Sequence, residues 1–195
     1  MMKVLIACEF SGTVKNAFSR LGHDAYSCDL LPSEQSGKHI TGDVMTVLDD
    51  GWDLMVAFPP CTHLACSGAR WFKNKQKEQE EAIAFVRALL GAPIHKIALE
   101  NPVGIISSRI RKPDQIVQPW MFGDPFTKTT CLWLKGLPKL IPTKIVDKGK
   151  IQVVKSGKKL PEWYSNAKKD ERWKIRSKTF SGLADAIANQ WGANA

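Results

Sequence analysis

Short apolar runs, separated by one amphipathic stretch or another, constrain this chain more than any other feature. Lys3 to Cys8, Ala25 to Asp29, Asp53 to Phe58 and Ile94 to Leu99 each read as a buried strand. After the first run, the turn Glu9-Phe10-Ser11-Gly12 leads into Val14, Ala17, Phe18 and Leu21 at helical spacing, with Gly22 as a stop. Before the last, the charged stretch Lys73 to Glu81 enters Ala82, Phe85, Val86, Leu89 and Leu90, an amphipathic helix that ends near Gly91 and Pro93. Leu31 to Lys38 reads as loop and Thr41-Gly42-Asp43 as a turn. This β-α-β alternation predicts an α/β fold with a mostly parallel sheet and helices on both faces.

Beyond residue 104 the pattern loosens. Ile116 to Phe122 and Thr129 to Leu134 read as strands of an antiparallel edge, joined by Gly123-Asp124-Pro125. Pro138 to Lys178 has little periodicity. Ser181 is expected to cap a last helix with Leu183, Ala184, Ile187, Ala188 and Trp191 on its apolar side. A length of 195 residues suits one domain, 1–195, and a composition of 44% hydrophobic and 24% charged residues suits a globular protein rather than a disordered one. No apolar run approaches the roughly 20 residues that span a bilayer. The run Val4 to Cys8 is too short for a signal peptide, so a cytoplasmic protein without a membrane partner is expected.

Five cysteines, an odd number without paired spacing, argue for reduced thiols. Cys61-Thr62-His63 with Cys66 lacks the second ligand pair of a zinc site, so no metal is expected. Charge is unevenly spread. Residues 135–178 hold 14 of the 28 Lys and Arg but 4 of the 19 Asp and Glu, a local balance of +10 that leaves −1 for the remainder. One basic segment on a neutral body points to a local polyanion contact, nucleic-acid phosphate above all, although a solvated lysine-rich loop has the same composition. Lys155, Lys158, Lys159, Lys168, Lys169 and Arg172 are the candidate contacts. Of the seven tryptophans (Trp52, Trp71, Trp120, Trp133, Trp163, Trp173 and Trp191), those in strands and helices are expected in the core. Trp163 and Trp173, with Tyr164, lie in the basic segment, where stacking on bases is available to them.

Parallel sheets bind ligands beyond the carboxyl ends of their strands. Glu9, Asp29, Cys61 and Glu100 all fall at such ends, which predicts one shared site. In Pro59-Pro60-Cys61 two locked φ angles fix the backbone before a thiol, and basic groups nearby would favour its ionisation. The ordinary fate of a free cysteine is a small buried hydrophobe. Glu100-Asn101-Pro102 closes the neighbouring run, where partial burial would raise the Glu100 carboxyl towards the range of a proton donor; a surface carboxylate or a helix cap is the plainer reading. The turn Glu9 to Gly12 is not a full GxGxxG. Asp29 is placed to accept from ribose hydroxyls and Asp43 to contact an adenine amino group, although each is also an ordinary turn aspartate.

Phe10-Ser11-Gly12, Asp29, Gly42-Asp43-Val44, Phe58-Pro59-Pro60-Cys61, Glu100-Asn101-Pro102 and the helix start Phe180-Ser181-Gly182, in this order, resemble the DNA cytosine-5 methyltransferase family, especially its short phage-type members. The resemblance covers most of the chain outside residues 138–178. It implies a Rossmann-like methyltransferase fold and S-adenosylmethionine as methyl donor. Phe10 would pack on the adenine, Asp29 hold the ribose, and Asp43 with Val44 hold the adenine edge; Ser11, Gly12, Phe58 and Pro60 complete the implied donor set. Cys61 would attack carbon 6 of cytosine, Glu100 would serve ring nitrogen 3, and Asn101 would support the loop.

Four departures stand out. Val14 replaces a further glycine, Pro102 replaces valine, and the two-arginine motif has no clear match, with Arg109 and Arg111 too early and Lys128 on the later strand. The fourth is that residues 138–178 form only a short basic insert in place of a full target-recognition domain. The implied activity is methylation of cytosine carbon 5 in DNA with short or relaxed specificity. The same chemistry on a free cytosine nucleotide, or a catalytically idle nucleic-acid-binding relative, are the alternatives.

Overall fold

In the computed structural model, which describes residues 1–68, 74–154, 157–166 and 172–193, the apolar runs become neighbours in one sheet. The strands are β1 (Lys3–Ala7), β2 (Asp24–Asp29), β3 (His39–Thr41), β4 (Leu54–Ala57), β5 (Lys96–Asn101), β6 (Gln115–Val117) and β7 (Thr130–Lys135), with a separate hairpin of β8 (Ile151–Val153) and β9 (Lys159–Pro161). The helices are α1 (Thr13–Arg20), α2 (Gln76–Gly91), α3 (Ile106–Arg109), α4 (Glu162–Ser165), α5 (Arg172–Ser177) and α6 (Ser181–Gly192). Sheet order is β3-β2-β1-β4-β5-β7-β6. The first five strands are parallel, and β7 runs antiparallel to both of its neighbours.

Side chains alternate between two cores, as the period of a strand requires. Val4 and Ile6 of β1, with Leu54 and Val56 of β4, pack under Val14, Ala17 and Phe18 of α1 and Leu183, Ala184, Ile187, Ala188 and Trp191 of α6. Leu5, Ala7, Met55, Ala57, Ile97 and Leu99 face the other way, towards Ile83, Val86 and Leu89 of α2. Helices therefore cover both faces, as the alternation predicts. Trp133 and Trp191 are wholly buried, each donating its indole N–H to a carbonyl, of Arg111 and Pro138 respectively. Trp71 lies outside the described residues.

Several expectations need correction. The segment read as loop and turn contains β3, a three-residue edge strand too short to show a period. The strand expected over Ile116 to Phe122 stops at Val117, because Pro119 supplies no ladder N–H and opens a 3-10 turn instead. Ser181 is not the cap of α6 but its first residue. The cap is supplied from outside, by the Asp124 carboxylate, which accepts the Gly182 N–H at 2.8 Å. A side chain at Gly182 would strike the Phe122 carbonyl, so glycine is required at this crossing. Leu21 ends α1 as an exposed C-cap rather than continuing its apolar face. Finally, the basic segment carries the β8–β9 hairpin, α4 and α5.

Register aligns the strand ends. Ala7 lies opposite both Cys28 and Ala57, and Ala57 lies opposite Leu99. Cys8-Glu9, Asp29, Phe58 and Glu100 thus leave the sheet along one edge.

Candidate active site

On one half of that edge, β4 runs through Phe58, Pro59 and Pro60 to Cys61, whose carbonyl accepts from Leu64 (3.0 Å) and Ala65 (2.9 Å) to open a tight turn. The adjacent β5 ends in Glu100 and Asn101. Asn101 is buried, and its Nδ2 donates to the Pro59 carbonyl at 2.8 Å. This bond ties the two strand ends together, two residues from Cys61 on one side and one residue from Glu100 on the other. Burial pushes the Glu100 carboxyl up from the usual carboxylate range, opposed by the positive charge of Lys128. Burial also pushes the Cys61 thiol up, the Glu100 charge adds to the rise, and Arg176 and Lys128 oppose it. The expectation of a readily ionised thiol is corrected: basic groups do face Cys61, but desolvation outweighs them.

The donor half of the edge lies at β1, β2 and the turn after β3. Cys8 takes a left-handed backbone (φ 59°), and its thiol is pushed up to about 12 by burial, then by Asp29, Cys28 and Asp43. Two carboxylates from different strands thus bear on one spot. Asp29 accepts the Leu31 N–H at 2.9 Å and Asp43 the Met45 N–H at 3.0 Å, each through one oxygen. A carboxylate has a second oxygen to offer. Val44 and Phe10 are buried beside them, Phe58 is half-buried, and Pro60 is exposed. Gly12 has φ 68°, and a Cβ there would sit 2.8 Å from Gln35 Cβ, so the turn before α1 accepts only glycine. Ser11 donates its hydroxyl to Glu9.

Glu9 has a role that its position at a strand end did not disclose. Its carboxylate is buried and accepts the N–H groups of Val14 (2.7 Å) and Lys15 (3.1 Å), capping α1. Burial still pushes its carboxyl up, against these bonds, that of Ser11 and the Lys15 charge. The Lys15 ammonium, itself in a buried side chain, donates to the Ser36 carbonyl at 2.5 Å and so pins the loop that covers Gly12.

The two arginines too early for the family's motif are engaged elsewhere: Arg109 with both oxygens of Glu80 and Arg111 with Asp114. Lys128, just before β7, is instead a cation whose charge acts on Glu100. Its Nζ donates to the carbonyls of Arg176 (2.8 Å) and Lys178 (3.2 Å). Of the candidate phosphate contacts, Lys158 and Lys159 are exposed on the β8–β9 hairpin, and Arg172 opens α5. Lys155, Lys168 and Lys169 lie outside the described residues. Trp163 packs edge-on against Phe126 and Phe180, and a cleft of about 480 Å³ lies between Phe126, Lys148, Lys150, Glu162, Trp163 and Asn166.

No protein-family model and no curated protein matches the sequence. Among solved structures, the fold is similar to that of a candidate DNA modification methyltransferase encoded within an Escherichia coli prophage. The TM-score is 0.50 at 15% sequence identity, over 75% of this chain and 52% of that one. The chain therefore spans about half the length of that protein. The architecture is a Rossmann-like α/β fold, similar to that of this neighbour. Among the described residues no helix is long and apolar enough to cross a membrane.

Proposed function

We propose that the chain is an S-adenosylmethionine-dependent methyltransferase acting on carbon 5 of cytosine in DNA, through a covalent adduct with Cys61. The observation that supports this reading is the Asn101–Pro59 bond, which ties the strand end leading to Cys61 to the strand end carrying Glu100 at the carboxyl edge of the sheet. A thiol and a proton donor on neighbouring strands suit addition to an electron-poor ring.

The donor half fits the proposed donor by its chemistry. Two carboxylates (Asp29, Asp43) suit a ribose diol and an amino group, and Phe10 suits an adenine face. The capping carboxylate of Glu9 adds a discrimination. Nucleotide cofactors place phosphate on the first helix N-terminus, but here Val14 and Lys15 already give their N–H groups to Glu9, which leaves neither free for a phosphate oxygen. A donor without phosphate, and with a cationic sulfonium, suits such an edge.

When bound there, S-adenosylmethionine would supply an electrophilic methyl group, its sulfur keeping the electron pair of the broken S–CH3 bond as the neutral thioether leaves. Cys61 attacks carbon 6 as the thiolate, while Glu100 passes its proton to ring nitrogen 3. The carbon 5–carbon 6 electron pair shifts towards carbon 4, which makes carbon 5 a nucleophile for the methyl. Glu100 then recovers the nitrogen 3 proton, solvent takes the carbon 5 proton, and the bond from Cys61 to carbon 6 breaks to regenerate the ring and the thiolate. The raised carboxyl of Glu100 suits it to carry a proton into the first step. Neutral Glu100 also removes the charge that opposes ionisation of Cys61. Lys128 and Arg176 supply the positive field that the thiolate needs. The exposed lysines of the β8–β9 hairpin, in a segment of balance +10, favour DNA over a free nucleotide.

The test is DNA containing 5-fluorocytosine, incubated with S-adenosylmethionine and resolved by denaturing electrophoresis and mass spectrometry. Fluorine cannot leave as a proton does, so the protein should stay attached through Cys61, and Cys61→Ser should form no adduct. An adduct with 5-fluorodeoxycytidine monophosphate and none with DNA would transfer the chemistry to the free nucleotide. No adduct with either would end the proposal.

A further inference from the structure

Helix α5 does not stay within the basic segment. At one end the Lys178 ammonium pairs with Glu34 at 2.5 Å, and Glu34 itself donates its backbone N–H to the Phe10 carbonyl at 2.9 Å. Near its other end, the Trp173 ring lies against Phe10, centroids 5.9 Å apart and planes tilted by 43°. On the acceptor side, Lys128, whose charge acts on Glu100, donates to the carbonyls of Arg176 and Lys178. The Arg176 guanidinium, 5.5 Å from the Tyr164 ring, links the helix back to α4 and so to the hairpin that carries Lys158 and Lys159. One short element thus touches the donor half of the edge, the acceptor half and the basic arm. Trp173 remains 53% exposed although it meets Phe10, so aromatic surface is left open beside Phe10.

We propose that α5 is a wall shared by two sites: Trp173 flanks the donor's adenine beside Phe10, and the helix couples donor binding to nucleic-acid binding. The inference rests on the donor reading above and goes beyond it. DNA gripped by the basic arm holds α5 in place through Tyr164–Arg176 and Lys128. A fixed α5 presents Trp173 to the donor already ordered, so that less conformational entropy is lost on binding. Coupling of this kind is reciprocal. The Lys178–Glu34 pair is the latch on the donor side, and its two residues position Trp173 rather than touch the donor.

The experiment is calorimetric titration of the full chain with S-adenosylhomocysteine, in the absence and presence of a cytosine-containing duplex. The duplex should tighten S-adenosylhomocysteine by about tenfold, within the usual range of site-to-site coupling. Trp173→Ala should weaken S-adenosylhomocysteine by about tenfold, the worth of one aromatic stacking partner, and should abolish the gain from the duplex. Glu34→Lys and Lys178→Glu should each remove the gain, and the double exchange, with the pair restored in reverse, should recover it. That recovery separates a lost latch from a damaged fold. An unchanged affinity and unchanged gain in Trp173→Ala, or a double exchange no better than the singles, overturns the inference while leaving the donor reading in place. No binding of S-adenosylhomocysteine by the unsubstituted chain overturns both.

Discussion

Glu9 and Glu100 stand at the ends of parallel strands, both held up from the ordinary carboxylate range by burial, yet they are built for opposite purposes. Glu9 accepts from two backbone N–H groups and a serine hydroxyl. Around Glu100, among the described residues, the influence opposing burial is the charge of Lys128. The first carboxylate is consumed by the fold; the second is the one proposed to exchange a proton. At a sheet edge, what separates a structural acid from a chemical one is the number of donors that satisfy it.

Exchanging the functional acid gives the largest expected effect. Glu100→Gln should lower the rate of methyl transfer by about 10² to 10⁴, the span of a general acid, with the fold intact. Glu9→Gln should leave the rate within a small factor. Equal losses in the two variants, measured as tritium transfer to DNA, would erase the distinction. Stability should respond in reverse. Glu9→Ala orphans the N–H groups of Val14 and Lys15 and should destabilise by about 2–3 kcal/mol, or about 5–10 °C in melting temperature.

Acidity sharpens the contrast next. A carboxyl held up by the fold leaves the native state most stable while protonated, and the penalty enters as pH rises through its folded pKa. Glu100→Gln should therefore be more stable than the unsubstituted chain at about pH 8, and that advantage should vanish by about pH 4, as measured by guanidinium unfolding. A smaller effect is expected at Asp124, a third carboxylate consumed by backbone. Asp124→Ala should remove the cap of α6 for about 1 kcal/mol, or 2–4 °C. Lys158→Gln with Lys159→Gln should change stability least, and should flatten the dependence of log affinity for DNA on log salt by about 2 units.

The strands β1, β4 and β5 were legible because strands buried on both faces need continuous apolar residues, and the neighbouring helices need the 3.6-residue stripe. Glu9, Asp29, Cys61 and Glu100 were read together because the ends of parallel strands share one edge, and the register aligns the strands that lead to them. Strand β3 was not, since three residues at an edge are held by the ladder to β2 rather than by their own pattern. The cap formed by Glu9 was hidden because its partners, Val14 and Lys15, are ordinary helix residues five and six positions on. Helix α5 was hidden for a stronger reason. Its partners Phe10, Glu34 and Lys128 are scattered over the chain, and no local period reports a contact across 163 residues such as that of Phe10 with Trp173. The raised thiol of Cys61 belongs to the same class: nearby cations are visible in the sequence, but the dryness that defeats them is not.

The amide of Asn101 grips the carbonyl of Pro59 inside the protein, across two adjacent parallel strands. The gap between sulfur and acid is thereby a property of the sheet and owes nothing to the lysine-rich arm. On the proposed reading, residues 150 to 171, beyond the buried Leu140 and the Pro138 carbonyl that holds Trp191, could then be traded for a foreign reader of another nucleotide sequence without re-spacing those strand ends, provided the graft returns to the native chain at Arg172. Address and chemistry would be separable parts of one small protein.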